Sequence, residues 1–95
     1  MAYDRIPYES LVELSASILE KITYPASKAA ITAWVLAEAD ARGVSSHGVT
    51  RLKVYRNELE SGHANPAADP EIVHETPISL VVDGHYGVGA HISKF

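Results

Sequence analysis

Two prolines and two glycines cut the first 62 residues into three stretches with helical periodicity, and this punctuation constrains the fold more than any other feature. Pro7 suits a first helical turn. From there Leu11, Leu14, Ser15, Ile18 and Ile22 recur at helical spacing, with Val12 and Leu19 widening the stripe. A residue before proline is pushed away from helical angles, so Thr23-Tyr24-Pro25 breaks the pattern. A second, alanine-rich helix is predicted from Ala26 to Arg42. Ile31, Trp34, Val35 and Glu38 lie along one side of it, with Trp34 placed in the core between helices. Gly43 stops it. Ser45 or Ser46 then caps a third helix running to Ser61, which Gly62 ends.

The composition changes beyond residue 62. His63 to Pro70 reads as an extended loop, and Glu71 to Glu75 and Ile78 to Asp83 read as two short strands joined at Thr76-Pro77. A glycine-rich turn, Gly84 to Gly89, leads into the start of a helix from Ala90 to Phe95. The expected fold class is α/β, or α+β as an isolated piece: three helices, then two strands. The expected units are 1–62, a linker at 63–70, and a strand-turn-helix unit at 71–95 that breaks off early. Two strands without a third, or without a covering helix, are marginal in water. A fragment, or a chain that needs a partner surface, is therefore expected.

Charge and residue usage narrow the function. Eight basic against twelve acidic residues give a net charge of −4, which argues against nucleic acid. Without cysteine there is neither a disulfide framework nor a thiolate metal site. The histidines His63, His74, His85 and His91 have no zinc-type spacing, so no metal is expected. The run Met1 to Arg5 has no apolar segment after it, and the apolar stretch Ala29 to Ala39 is too short to cross a bilayer, so no membrane partner is expected. A cytoplasmic location is the default.

Chemistry concentrates between Ser45 and Tyr55. His47, Arg51 and Tyr55 are four residues apart, and in a helix each step of four overshoots a full turn by only about 40°. The expected result is one stripe of imidazole, guanidinium and phenol beside a helix start whose free N–H groups favour anions. This suits a small carboxylate. Arg51 can hold such a group through two parallel hydrogen bonds; the plainer alternative is an ion pair with Glu58 or another acid. His47 can donate to a substrate oxygen or a cofactor phosphate, or simply bond nearby backbone. Tyr55 can flank the substrate or pack its ring inward. Ser46 can cap the helix and also reach the site. The glycines Gly84, Gly87 and Gly89 have the order G-x-x-G-x-G rather than the dinucleotide fingerprint, which favours a tight turn.

The run from Ala37 to Leu52, with Ser46-His47-Gly48-Val49-Thr50-Arg51-Leu52 at its centre and Tyr55 after it, resembles the signature of the type 2 malate/L-lactate dehydrogenases. That group includes ureidoglycolate, sulfolactate and diketogulonate enzymes and imino-acid reductases. The similarity continues through Ser61-Gly62-His63-Ala64-Asn65-Pro66, Glu75-Thr76-Pro77 and Asp83-Gly84 with Gly87 and Gly89. Lys53, where the family often has proline, and His85-Tyr86, in place of a more usual acidic–polar pair, depart from it. The resemblance implies an unusual α/β fold distinct from the Rossmann domain, NAD or NADP as cofactor, and hydride transfer on a 2-hydroxy or 2-oxo acid. It also implies a homodimer. Carried over by position, Arg51 binds the substrate carboxylate, Tyr55 flanks it, and Ser46 and His47 stand at the substrate–cofactor junction, His47 with a catalytic role. The family's main acid–base histidine and most of its nicotinamide site fall in segments not present here, so the isolated chain is expected to be inactive. The rival expectation is a small helical interaction module without chemistry of its own.

Overall fold

A computed structural model describes residues 5–94; the run read as lacking a leader falls mostly outside them, as does Phe95. The helices are α1 (Tyr8–Lys21), α2 (Ala26–Ala41), α3 (Leu52–Glu60) and α4 (Gly89–Lys94). Strands β1 (Glu71–Thr76) and β2 (Ser79–Asp83) form an antiparallel hairpin between α3 and α4. This is the α+β order expected from the sequence, and the strand limits agree to within a residue.

Proline starts the first two helices from just outside them. Pro7 is extended, with ψ 136°, and its carbonyl accepts the Leu11 N–H at 3.0 Å. Pro25 repeats this with ψ 145° and the Ala29 N–H at 2.8 Å. The residue flanking a helix keeps non-helical angles while its carbonyl takes the first helical bond, a role that needs no N–H of its own. The exits of α1, α2 and α3 are alike too, with positive φ at Thr23, Gly43 and Gly62. In α1 the Thr23 and Tyr24 N–H groups return to the carbonyls of Glu20 and Leu19 at 3.1 and 3.0 Å. A β-branched residue at φ 85° costs about 1–2 kcal/mol relative to glycine. The turn carries Tyr24 into the core, where it is 7% exposed, and that burial offsets the strain.

The core lies where α1 crosses α2. Leu19, Tyr24, Ala29, Ala33 and Val88 form its centre, with Val12, Ile22, Leu52, Tyr55 and Leu59 against them. Two expectations are corrected here. α2 buries its small face, Lys28, Ala29, Thr32, Ala33, Leu36 and Ala37, and turns Trp34 (49% exposed) and Val35 outward. On α1 the buried residues are Ser15 and Leu19, while Leu14 and Ile18 face solvent. Alanine and serine let two helix backbones approach closely along their length, whereas an indole between them would hold them apart. Trp34 instead lies in a surface groove with Ala90, Ser93 and Lys94.

Residues 63–70 are latched to this core. The buried Lys28 Nζ donates to the Ala68 carbonyl at 2.6 Å and pairs with Asp69 at 3.1 Å. The Asn65 N–H bonds the Tyr86 carbonyl at 2.7 Å. Tyr86 and His85 both have positive φ in a turn closed by the Gly87 N–H on the Gly84 carbonyl at 2.8 Å, the pattern of a type I′ turn. Beyond that turn Val88 drops into the core and α4 starts. The hairpin itself stays open, with Ile72, Val73, Leu80, Val81 and the turn residue Ile78 all exposed.

Candidate active site

The segment expected to be one helix from Ser45 is two short 3₁₀ turns followed by α3. The turns are Ser45–His47 and Val49–Arg51, and Gly48 separates them with ψ −150°. The break has a cause in α2. The Asp40 carboxylate lies against Gly48 so closely that a Cβ there would overlap it, and its Oδ2 accepts the Val49 N–H at 2.9 Å. An acid thus caps the second turn from a neighbouring helix, so neither Ser45 nor Ser46 supplies a side-chain cap.

The four site residues therefore fall into three positions. Ser46 and His47 form an exposed pair, with Oγ and Nδ1 2.9 Å apart; which of them donates depends on the tautomer. This takes the place of the plainer alternative, a bond from His47 to nearby backbone, and it engages Nδ1 rather than Nε2. The expected four-residue step from His47 to Arg51 is lost at Gly48. Arg51 is half-buried at the foot of α3, and its backbone N–H bonds the Gly48 carbonyl at 3.0 Å. Among the described residues its guanidinium enters no ion pair, so the alternative pairing with Glu58 is not what the chain adopts. The step from Arg51 to Tyr55 survives, because Arg51 already has helical angles, φ −71° and ψ −15°. Tyr55 packs its ring on the core and lines a cavity of about 240 Å³ with Tyr24, Thr32 and Glu58.

Several contributors escape a reading of sequence alone. Asp40 left one signal, because a carboxylate in the last turn of a helix opposes the helix dipole and so calls for another reason to be there. Thr32 is the lone hydroxyl along the alanine face, 2% exposed, and its Oγ1 has no hydrogen-bond partner. Burial, followed by the nearby Tyr55 and Glu58, pushes the Tyr24 phenol up to about 12. Tyr24 thus remains a protonated donor throughout the neutral range. It also makes the fold sensitive to base. Between the ordinary value of 10.0 and about 12 the folded chain keeps a proton that the unfolded chain has lost. Its contribution is whole below pH 10 and fades as pH rises through 12. A Tyr24→Phe chain should show a shallower loss of urea resistance over that range; equal slopes would contradict the assignment.

At the other end of α2, the Glu38 carboxylate takes Arg42 Nε at 3.1 Å and the Tyr8 hydroxyl at 3.0 Å, tying the start of α1 to the site-bearing end of α2. The Arg42 bond first, and then the Tyr8 bond, holds Glu38 below its usual value. The glycine-rich segment is the tight turn expected, closed by the Gly87 N–H on the Gly84 carbonyl, and a Cβ at Gly87 would press on the carbonyls of Gly84 and Ala68. Among the described residues no cluster of three or more His, Cys, Asp or Glu could hold a metal ion, and no helix is long and apolar enough to cross a membrane.

Among the described residues the site segment thus offers a half-buried guanidinium outside any ion pair, a tyrosine one turn further along the same helix, and a separate exposed Ser–His pair. The family model for malate/L-lactate dehydrogenase matches residues 6–95, and the chain belongs to that family. It is 38% identical over 86 residues to an L-sulfolactate dehydrogenase of Methanocaldococcus jannaschii, which covers 90% of this chain and 25% of that protein. To a malate dehydrogenase of Pyrococcus horikoshii it is 38% identical over 87 residues, covering 92% of this chain and 24% of that protein. The solved structure of the P. horikoshii enzyme superposes with a TM-score of 0.91 at 36% identity, over 97% of this chain and 26% of that one. The M. jannaschii structure gives 0.87 at 37% identity, over 94% and 26%. The chain therefore spans about a quarter of the length of these relatives, all of them dehydrogenases.

Proposed function

We propose that this chain supplies the substrate-carboxylate side of a dehydrogenase that interconverts small 2-hydroxy and 2-oxo acids. The observation that carries this reading is Arg51, half-buried and without an ion pair among the described residues, in a chain of the malate/L-lactate dehydrogenase family. Its planar fork grips the carboxylate and fixes the orientation of the adjoining carbon, which is most of what such a reaction asks of protein. Ser46 sets the ring of His47, and Nε2 then faces the substrate oxygen as a hydrogen-bond donor. Tyr55 closes the far side.

The hydride is exchanged with NAD or NADP, with Ser46 and His47 at the junction between substrate and cofactor. The proposed partners are the small acid and either the rest of the enzyme or a second copy, which would cover the open hairpin. Neither nucleic acid nor a membrane is among them, and the proposed location is the cytoplasm. The open hairpin also prompted the rival reading of a bare interaction module; membership in a family of dehydrogenases favours the enzyme.

Assays of NADH and NADPH oxidation with a panel of 2-oxo acids test this. The 95 residues alone should give no turnover above background, and the full-length enzyme should reduce at least one acid. A full-length protein inert toward the whole panel would overturn the proposal.

A further inference from the structure

We propose that the cavity beyond Tyr55 receives the tail of the substrate, and that Glu58 restricts that tail to groups that donate hydrogen bonds, such as a hydroxyl, and repels a second acid group. This rests on the reading of Arg51 as the carboxylate anchor. Relative to Arg51, the positions of Tyr55 and Glu58 on α3 are rotated by only about 40° and −20°, so all three share one face. A substrate held by its carboxylate at Arg51 and extended along that face meets Tyr55 first. It then meets the cavity of about 240 Å³ bounded by Tyr24, Thr32, Glu58 and the Gly87–Ala90 segment.

The chemistry of that space is specific. Thr32 is 2% exposed, and its hydroxyl has no hydrogen-bond partner among the described residues, although buried polar groups are almost always paired. Thr32 lines the cavity, while its Oγ1 is itself closed to solvent. Tyr24, held protonated by burial, offers a donor. Among the described residues the Glu58 carboxylate enters no ion pair, so its acceptor oxygens and its charge are free to act on whatever occupies the cavity. A hydroxyl tail can donate to Glu58 and accept from Tyr24. A carboxylate or sulfonate tail meets a like charge within a few ångström, which in this partly wet setting is an effect of about 10-fold or more in binding. The chain thus departs from what the names of its malate and sulfolactate relatives suggest, since both of those substrates carry a second acid group.

The test is initial-rate kinetics of the full-length enzyme with 3-hydroxypyruvate and oxaloacetate, which differ mainly in the tail. The wild type should favour hydroxypyruvate in kcat/KM. Glu58→Gln should narrow that preference by about 10-fold, and Glu58→Arg should reverse it. A preference ratio that is the same in wild type, Glu58→Gln and Glu58→Arg overturns the assignment. So does a wild type that favours oxaloacetate. Arg51→Ala separates the two claims. If it weakens both acids alike while the Glu58 variants change nothing, the tail assignment alone fails. If it leaves both acids untouched, the carboxylate anchor fails with it.

Discussion

Arg51→Ala should lower kcat/KM for every 2-oxo acid the full-length enzyme accepts by about 100-fold or more. Hydrogen bonds to a charged partner contribute about 1.5–3 kcal/mol each, and the guanidinium can make two of them to one carboxylate. Losing about 3 kcal/mol corresponds to roughly 100-fold. The structure adds a reason to expect the full effect. No neighbouring acid among the described residues occupies the guanidinium, so removing it breaks no internal pair and uncovers no buried carboxylate. The folded state should be little changed, and the loss should appear in catalysis rather than in the melting temperature. Arg51→Lys restores the charge but not the planar fork, so it should recover only part of the loss. Wild-type kinetics in Arg51→Ala would remove the foundation of the proposed function.

Gly48→Ala should produce the second-largest effect, on stability and activity together. Its new methyl group would occupy the position of the Asp40 carboxylate. Either Asp40 swings away and abandons the Val49 N–H, or the 3₁₀ turns shift. Overpacking of this kind costs about 1–3 kcal/mol. Because Arg51 ends the displaced turn, kcat/KM should fall by about 10-fold as well. Asp40→Asn keeps the shape and one acceptor oxygen, so it should stay near wild type. Asp40→Ala loses the cap. In the double variant Asp40→Ala/Gly48→Ala the overlap is gone, so its destabilisation should be smaller than the sum of the two single changes. Strict additivity in urea melts would show that the two residues do not share the contact described here.

The limits of reading this sequence follow from how its signals work. Helix ends were legible because proline and glycine act on the backbone within one or two residues, as at Pro7, Pro25, Gly43 and Gly62. The choice of buried face was less so. Ile31, Trp34 and Val35 have the apolar character of a core stripe, and yet the alanines opposite them won, because close backbone approach depends on a second helix that α2's own pattern does not contain. At the site, Arg51 and Tyr55 kept their spacing because they share one continuous helix. His47 did not, because the carboxylate that interrupts the helix is that of Asp40 on α2, eight residues before Gly48.

By itself, the order of residues determined the first two helices with their ends, the hairpin, and the family, since each of these rests on near neighbours or on a recognisable run. Only the tertiary structure decided which side chains work together. Packing of α1 on α2 and of Val88 into their junction placed Tyr24, Thr32, Tyr55 and Glu58 around one cavity, and Asp40 split imidazole from guanidinium. Contacts between elements depend on volume and distance in space, and a linear pattern encodes neither.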